Sequence, residues 1–367
     1  MMDEAPFGVY IHIPFCRAKC RYCAFVSTAD KSLERAYIDA LIREIKAPSN
    51  IGRAVDSIYI GGGTPSCLSR GAIAEILNAV HDTFSVARGS EITVEANPES
   101  CTEQFAAECK DAGVNRISMG LQSADDDVLR AIGRVHTFPD YLRAAKLLQK
   151  SFDNISSDII LGLPEQDEPD IDKALSVISD YCCHASVYAL SVEEGTPLYS
   201  SGFSTDDDRI ADMYDRACSR LAALGFRRYE VSNFAKSGKE SRHNKKYWNC
   251  EGYYGFGVAA HGYDGDYIRY SHTDDIAAYI RDYGITQTIL TEKDRYNEYI
   301  MLRLRTDCGI VLNDFKARFG YEFTDRAAAV LSRLAADGLI VARDGRVRIA
   351  PDKAFVMNGI IEELMLD

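Results

Sequence analysis

The feature that most constrains the fold is an alternation rather than a motif. Six short apolar segments, each followed by an amphipathic stretch, fill the first two hundred residues. The segments 7–13, 56–60, 91–96, 115–120, 155–161 and 186–191 are rich in Ile, Val or Tyr and are closely followed by Gly, Pro or polar residues, as strands are. Between them, helical spacing covers 33–45, 71–83, 103–112, 125–132, 141–150 and 171–180. Strand–helix–strand units of this length predict parallel pairing through crossovers. A doubly wound sheet and a β/α barrel both fit. Six units are too few for a closed eight-stranded barrel, so the expected class is α/β, a partial, open (β/α)6 barrel.

A further helix is expected over 203–225, closed by Gly225. Residues 226–290 have poor periodicity with frequent Arg, Lys, Tyr and Gly, and read as a loop-rich segment packed near the barrel mouth. From 291 onward helices return at 298–305, 312–319 and 325–337. Two short strands flanking Asp344-Gly345 then make a hairpin, since Asp-Gly suits a tight two-residue turn. Three units follow: 1–225 as barrel, 226–290 as the loop-rich segment, and 291–367 as a small α+β, winged-helix-like domain.

A winged helix suggests DNA, but the formal net charge of −13 argues against a nucleic-acid partner, which requires a basic face. A packing or partner role for the tail is the expectation. No apolar run approaches the roughly 20 residues of a membrane span, and the first ten residues lack the basic and apolar regions of a signal peptide. Eleven cysteines, an odd number in a chain this long, suggest reduced thiols in the cytoplasm, some of them on metal.

Three of these thiols crowd together. In Tyr10-Ile-His-Ile-Pro-Phe-Cys16-Arg-Ala-Lys-Cys20-Arg-Tyr-Cys23-Ala-Phe25 they fall within eight residues, directly after the first strand. Soft thiolates at this density select iron–sulfur clusters or zinc. A zinc site would want a fourth ligand close by, and the nearest candidate in sequence is His12, upstream. Three ligands on a four-iron cluster leave one iron open. The position, at the C-terminal end of a barrel strand, is where such folds build their sites.

Polar residues recur at the following strand ends. Gly61-Gly62-Gly63-Thr64-Pro65-Ser66 follows the second strand; a triple glycine permits close backbone approach to a ligand, although alone it is as often a tight turn. Glu95 and Asn97 end the third strand, Gln122 the fourth, with Gly133-Arg134 beyond it, and Asp158 lies on the fifth. Each has an ordinary structural reading, such as a solvated strand end for Glu95. Together they describe a polar rim facing one mouth.

The spacing C-x3-C-x2-C, with Tyr22 before the third cysteine, resembles the radical S-adenosylmethionine (SAM) superfamily. The blocks YIHIPFC, GGGTPS, TVEANPES, RISMGLQS and GLP resemble its anaerobic coproporphyrinogen III oxidase family over about the first two hundred residues, with a similar tail domain. The resemblance implies a [4Fe–4S] cluster on Cys16, Cys20 and Cys23, and SAM held at its open iron. It also implies SAM contacts at Tyr10, Gly62, Gly63, Thr64, Glu95, Gln122, Arg134, Asp158 and Ala189, with Tyr22 near the adenine.

Two features separate branches of that family. Its oxidases carry a further cysteine two residues after the third; here that residue is Phe25. The chain also carries His243-Asn244-Lys-Lys-Tyr247-Trp248, and this HNxxYW block, with Tyr229–Lys236 and Gly255–Gly262 around it, resembles the haem-chaperone (HemW) branch. That implies haem contact at His243, Tyr247 and Trp248. An imidazole and a phenol are both haem-ligand types, and a lone tryptophan offers a flat face for a porphyrin. Arg227, Arg228, Lys245 and Lys246 suit porphyrin propionates, with a solvated face as the simpler alternative.

Two functions compete. One is a binding protein that holds haem and delivers it to an acceptor protein, with an electron donor serving the cluster. The other is an oxygen-independent coproporphyrinogen III oxidase, using a 5′-deoxyadenosyl radical for oxidative decarboxylation. Phe25 and the HNxxYW block favour the first.

Overall fold

The computed structural model describes residues 5–366. Six strands, β1 (Phe7–Ile13), β2 (Ala54–Gly62), β3 (Ser85–Ala96), β4 (Arg116–Gln122), β5 (Ile155–Leu161) and β6 (His184–Ala189), pair in parallel and lie side by side in chain order. Doubly wound sheets reverse their strand order at a switch point. The unbroken order here is that of the open barrel. The helices Glu34–Ile45, Ala72–Thr83, Glu103–Asp111, Phe138–Leu148 and Glu168–Tyr181 form the crossovers. Side chains alternate across a strand: Ile58, Ile60, Ile92, Val94, Ile117 and Met119 belong to the apolar core. The alternate positions Tyr59, Glu95, Arg116, Ser118 and Asp158 are polar, and Arg116 is only 1% exposed. The barrel therefore has an apolar outer shell and a polar interior.

The stretch 226–290 differs from the loop-rich segment expected. It supplies β7 (Arg227–Arg228), β8 (Asn233–Ala235), β9 (Tyr253–Phe256), β10 (His261–Tyr263), β11 (Ile268–Ser271) and β12 (Thr286–Ile289), together with helices Arg242–Trp248 and Ile276–Asp282. β8 and β7 extend the sheet beyond β6, while β9, parallel to β1, leads into β10, β11 and β12. Strands of two to four residues are too short to show a period of two.

The tail runs helix Glu292–Leu304, β13 (Ile310–Val311), helices Leu312–Phe319 and Phe323–Ala336, then β14 (Ile340–Arg343) and β15 (Arg346–Ile349). The three strands form a sheet of their own in the order β13–β15–β14. A strand between the first two helices and a hairpin after the third is winged-helix order. The hairpin turns on Asp344 (φ 53°) and Gly345 (φ 69°), as an Asp-Gly turn requires. Tyr296, Tyr299, Phe315 and Phe319 pack edge to face inside the tail. Its core is continuous with that of the barrel. No helix of the described residues is long and apolar enough to cross a membrane.

Candidate cluster and S-adenosylmethionine site

Cys16, Cys20 and Cys23 lie in the loop leaving β1. The Cys16 amide donates to the Thr28 carbonyl at 2.9 Å and the Arg21 amide to the Ile132 carbonyl at 2.9 Å, fixing the loop over the strand ends. All three are free thiols. They line one cavity of about 590 Å³ together with Tyr22, Gly62, Gly63, Thr64, Glu95, Asn97, Gln122, Arg134, Asp158 and Ala189. Every residue expected at SAM except Tyr10 therefore borders the same space. Among the described residues no three His, Cys, Asp or Glu side chains converge on a single ion. Burial, the largest effect, pushes the Cys16 and Cys23 thiols up; a metal must displace those protons to bind.

Two of the sulfurs are joined by a hydrogen-bonded chain. Thr64 Oγ1 donates to Cys16 Sγ at 3.5 Å, and Asn97 Nδ2 donates to Thr64 Oγ1 at 3.0 Å. Arg134 Nη2 donates to Asn97 Oδ1 at 2.8 Å and to the Gly120 carbonyl at 2.9 Å, while its Nη1 reaches Cys20 Sγ at 3.6 Å. Asn97 stood in the strand-end motif without an assigned role. Its partners come from the turn after β2 and from the segment after β4, so no local signal reveals the bridge. Gly63 approaches closely: a Cβ there would lie 2.8 Å from the Ile13 carbonyl oxygen and 3.0 Å from Cys16 Sγ.

Across the cavity, Glu95 accepts from the Tyr59 hydroxyl at 2.7 Å and from the Gly62 amide at 3.0 Å. Burial nonetheless outweighs these donors and pushes its carboxyl up to about 7. Gln122 adopts left-handed backbone, φ 70°, where the β4–β5 register shifts. That conformation is uncommon for a non-glycine residue, and here it falls at a cavity-lining position. Its Oε1 and Asp158 Oδ1 are buried acceptors without a hydrogen-bond partner among the described residues. Three thiols with the Gly63 backbone beside them, and open acceptors lining the same cavity, suit a cluster and a ligand carrying ammonium and hydroxyl donors.

Tyr10 lies elsewhere. Its hydroxyl bonds to His12 Nδ1 at 3.1 Å, and it borders a second cavity of about 350 Å³ with His12, Tyr247, Tyr253 and His261. Ala24 and Phe25 line both cavities.

Of the three residues expected at haem in the HNxxYW block, Tyr247 borders the second cavity, whereas His243 and Trp248 do not. Ser241 caps helix Arg242–Trp248, and its first amides are held by Glu91: Arg242 N donates to Oε2 at 3.0 Å and His243 N to Oε1 at 2.9 Å. A carboxylate on the free amides of a helix start is a favourable pairing. It draws His243 into the barrel, where the side chain is 0% exposed. One ring nitrogen bonds Ser57 Oγ at 3.0 Å, the other the Tyr247 hydroxyl at 2.8 Å, and the ring stacks on Tyr59. In this conformation His243 has neither an open nitrogen nor exposed surface for iron. Trp248 borders neither cavity, and its carbonyl accepts from Arg303. The basic residues are also engaged: Lys246 with Asp56 and Glu251, Arg227 with Asp307, and Arg228 with Tyr214. Arg227 and Lys245 remain exposed, Arg227 in a surface pair. Glu91 signalled nothing in sequence, because its partner lies some 150 residues away.

A parallel barrel with a cysteine-bearing loop over its strand ends is the architecture of the radical SAM class. The Radical SAM superfamily model matches residues 10–178 and the HemN C-terminal domain model residues 290–352. The chain is 33% identical to "Heme chaperone HemW" of Lactococcus lactis over 100% of this chain and 99% of that one. It is 36% identical to the Bacillus subtilis protein of the same name, over 91% and 92%. A mouse relative, "Radical S-adenosyl methionine domain-containing protein 1, mitochondrial", is 38% identical over 70% and 60%. The solved structure of Escherichia coli coproporphyrinogen III oxidase (HemN) superposes with TM-score 0.86 at 20% identity, covering 99% of this chain and 90% of that one; at that identity the likeness establishes the fold. The chain belongs to the HemW family of the radical SAM superfamily, whose fold implies a [4Fe–4S] cluster and SAM.

Proposed function

We propose that this protein binds haem and passes it to an acceptor protein, with a [4Fe–4S] cluster and SAM as its resident groups. Cys16, Cys20 and Cys23 hold the cluster. Gly62, Gly63, Thr64, Glu95, Gln122, Arg134, Asp158 and Ala189 hold SAM, with Tyr22 against the adenine. When bound, the pair supplies reductive cleavage of the SAM carbon–sulfur bond, given an electron donor. Arg134 and Thr64 keep donors on the cluster sulfurs, and Glu95 offers its carboxylate to ligand hydroxyls.

The observation that carries the reading is Phe25. It stands where the related oxidases carry a further cysteine and, at 67% exposure, presents an apolar ring between the two cavities. Support comes from relatives named for haem chaperoning that match over the whole length. The competing reading is catalytic decarboxylation of coproporphyrinogen III. Anaerobically reconstituted protein separates them. Haem titration is expected to give a saturable Soret band, and incubation with SAM, reductant and coproporphyrinogen no carbon dioxide. Turnover to carbon dioxide without haem binding refutes the proposal.

A further inference from the structure

Resting on the haem-binding reading, we infer that His261 is the histidine that ligates haem iron, in the aromatic recess bordered by Tyr10, Phe25, Tyr247 and Tyr253. The chain has seven histidines. Five have both ring nitrogens hydrogen-bonded within the protein: His12 to Tyr10 and Val26, His136 to Arg134 and Leu121, His184 to Ser156 and Tyr229, His243 to Ser57 and Tyr247, and His272 to Ala260 and Glu44. His81 lies on the exposed face of helix Ala72–Thr83 and borders neither cavity. Among the described residues His261 alone combines an imidazole without a hydrogen bond and a place in the lining of a cavity.

That place is rigid. His261 opens β10, paired with Ser271, and its carbonyl presses on Gly255, where a Cβ would sit 1.9 Å away. Ligands mounted on strands hold geometry better than those on loops. The recess is walled by flat rings, and its outer member, Phe25, is an exposed apolar side chain that a porphyrin face would cover. At about 350 Å³ it is at the small end of ligand pockets. It cradles one edge of a macrocycle and leaves the rest open, as suits a cargo that must leave. Lys19 Nζ, 3.2 Å from the Phe25 carbonyl, borders the cluster cavity on the other side of Phe25. Because Ala24 and Phe25 line both cavities, the cargo would rest on the loop that follows the third cysteine.

The test uses full-length, cluster-reconstituted protein titrated anaerobically with ferric haem, read by Soret absorption and electron paramagnetic resonance. Wild type is expected to show imidazole ligation. His261→Ala is expected to weaken binding by about tenfold or more, about 1.4 kcal/mol, and to lose that spectrum, with added imidazole restoring it. His261→Tyr is expected to bind with a phenolate-type spectrum. Neither change removes a hydrogen bond, so both variants are expected to melt near wild type. His243→Ala is expected to keep the imidazole spectrum in its folded fraction. Unchanged affinity and spectrum in both His261 variants overturn the assignment, as does a wild-type spectrum without imidazole, while leaving haem binding intact. Wild type that binds no haem instead overturns the function on which the assignment rests.

Discussion

Arg134 and Cys20, far apart in the chain, meet at 3.6 Å through Nη1 and Sγ. The same guanidinium holds Asn97, and through Asn97 and Thr64 it reaches Cys16. A cationic donor on a cluster thiolate stabilises the reduced, more negative state, and hydrogen bonds to sulfur are a main determinant of cluster potential. Arg134→Gln is expected to lower the reduction potential while leaving iron bound, and Asn97→Ala to move it less in the same direction. A redox titration followed by electron paramagnetic resonance measures both. Identical potentials would show that the bridge does not act on the cluster.

Gly120 packs against both Arg134 and Gln122. A Cβ at this position would lie 2.7 Å from Gln122 Nε2 and 3.1 Å from Arg134 Nη2. Both neighbours border the SAM cavity, so the side-chain ends that must shift to admit a methyl are ones expected to meet SAM. Gly120→Ala is therefore expected to weaken SAM binding by about tenfold or more, roughly 1.4 kcal/mol, with the iron content unchanged. Equilibrium dialysis of SAM against reconstituted protein measures it; an unaltered affinity would place SAM away from β4.

What the sequence disclosed divides along physical lines. The barrel strands were legible because apolar residues recur with a fixed period and turn residues follow; β1 and β5 have the ends expected. The cluster loop was legible because its ligands are close in sequence. The HNxxYW block was recognisable, but not its burial, which follows from Glu91 on β3 holding the start of the helix. Likewise, nothing local to His261 distinguishes it from His243. Only the partners on their ring nitrogens do, and those come from other elements.

Buried titratable groups give the fold a pH signature. Burial pushes the carboxyls of Glu95 and Glu230 from 4.5 up to about 7. The folded state therefore holds protons that the unfolded chain has lost, and stability falls as pH rises from about 4.5 through 7. Each carboxyl contributes on the order of 3 kcal/mol to that fall. Burial lowers His136 and His243 from 6.5 to about 3; here the unfolded chain holds the extra protons, and stability falls as pH drops from 6.5 toward 3. The two effects oppose each other between 4.5 and 6.5. Urea midpoints are expected to rise from pH 3 to 4.5 and to decline from 6.5 through 7. Glu230→Gln is expected to reduce the decline. A midpoint that keeps rising from pH 6.5 to 8 contradicts this account.

His243 tests whether the HNxxYW block is structural in this conformation. Its ring fills a space where a Cβ on Gly8 would already approach to 3.1 Å, and it joins Ser57 on β2 to Tyr247 at the end of its own helix. Removing it deletes two hydrogen bonds and leaves the buried Ser57 hydroxyl short of a partner, at about 1–3 kcal/mol, and it opens a cavity as well. Relaxation of Tyr247 toward its own cavity recovers part of that loss, so His243→Ala is expected to cost about 2–4 kcal/mol. His243→Gln, which can reach one of the two hydroxyls, is expected to cost less. Urea denaturation of cluster-free protein at pH 7 measures both without interference from haem or metal. A His243→Ala variant as stable as wild type would mean that the helix carrying the motif is not anchored through this ring, and that the imidazole is free to turn toward a ligand.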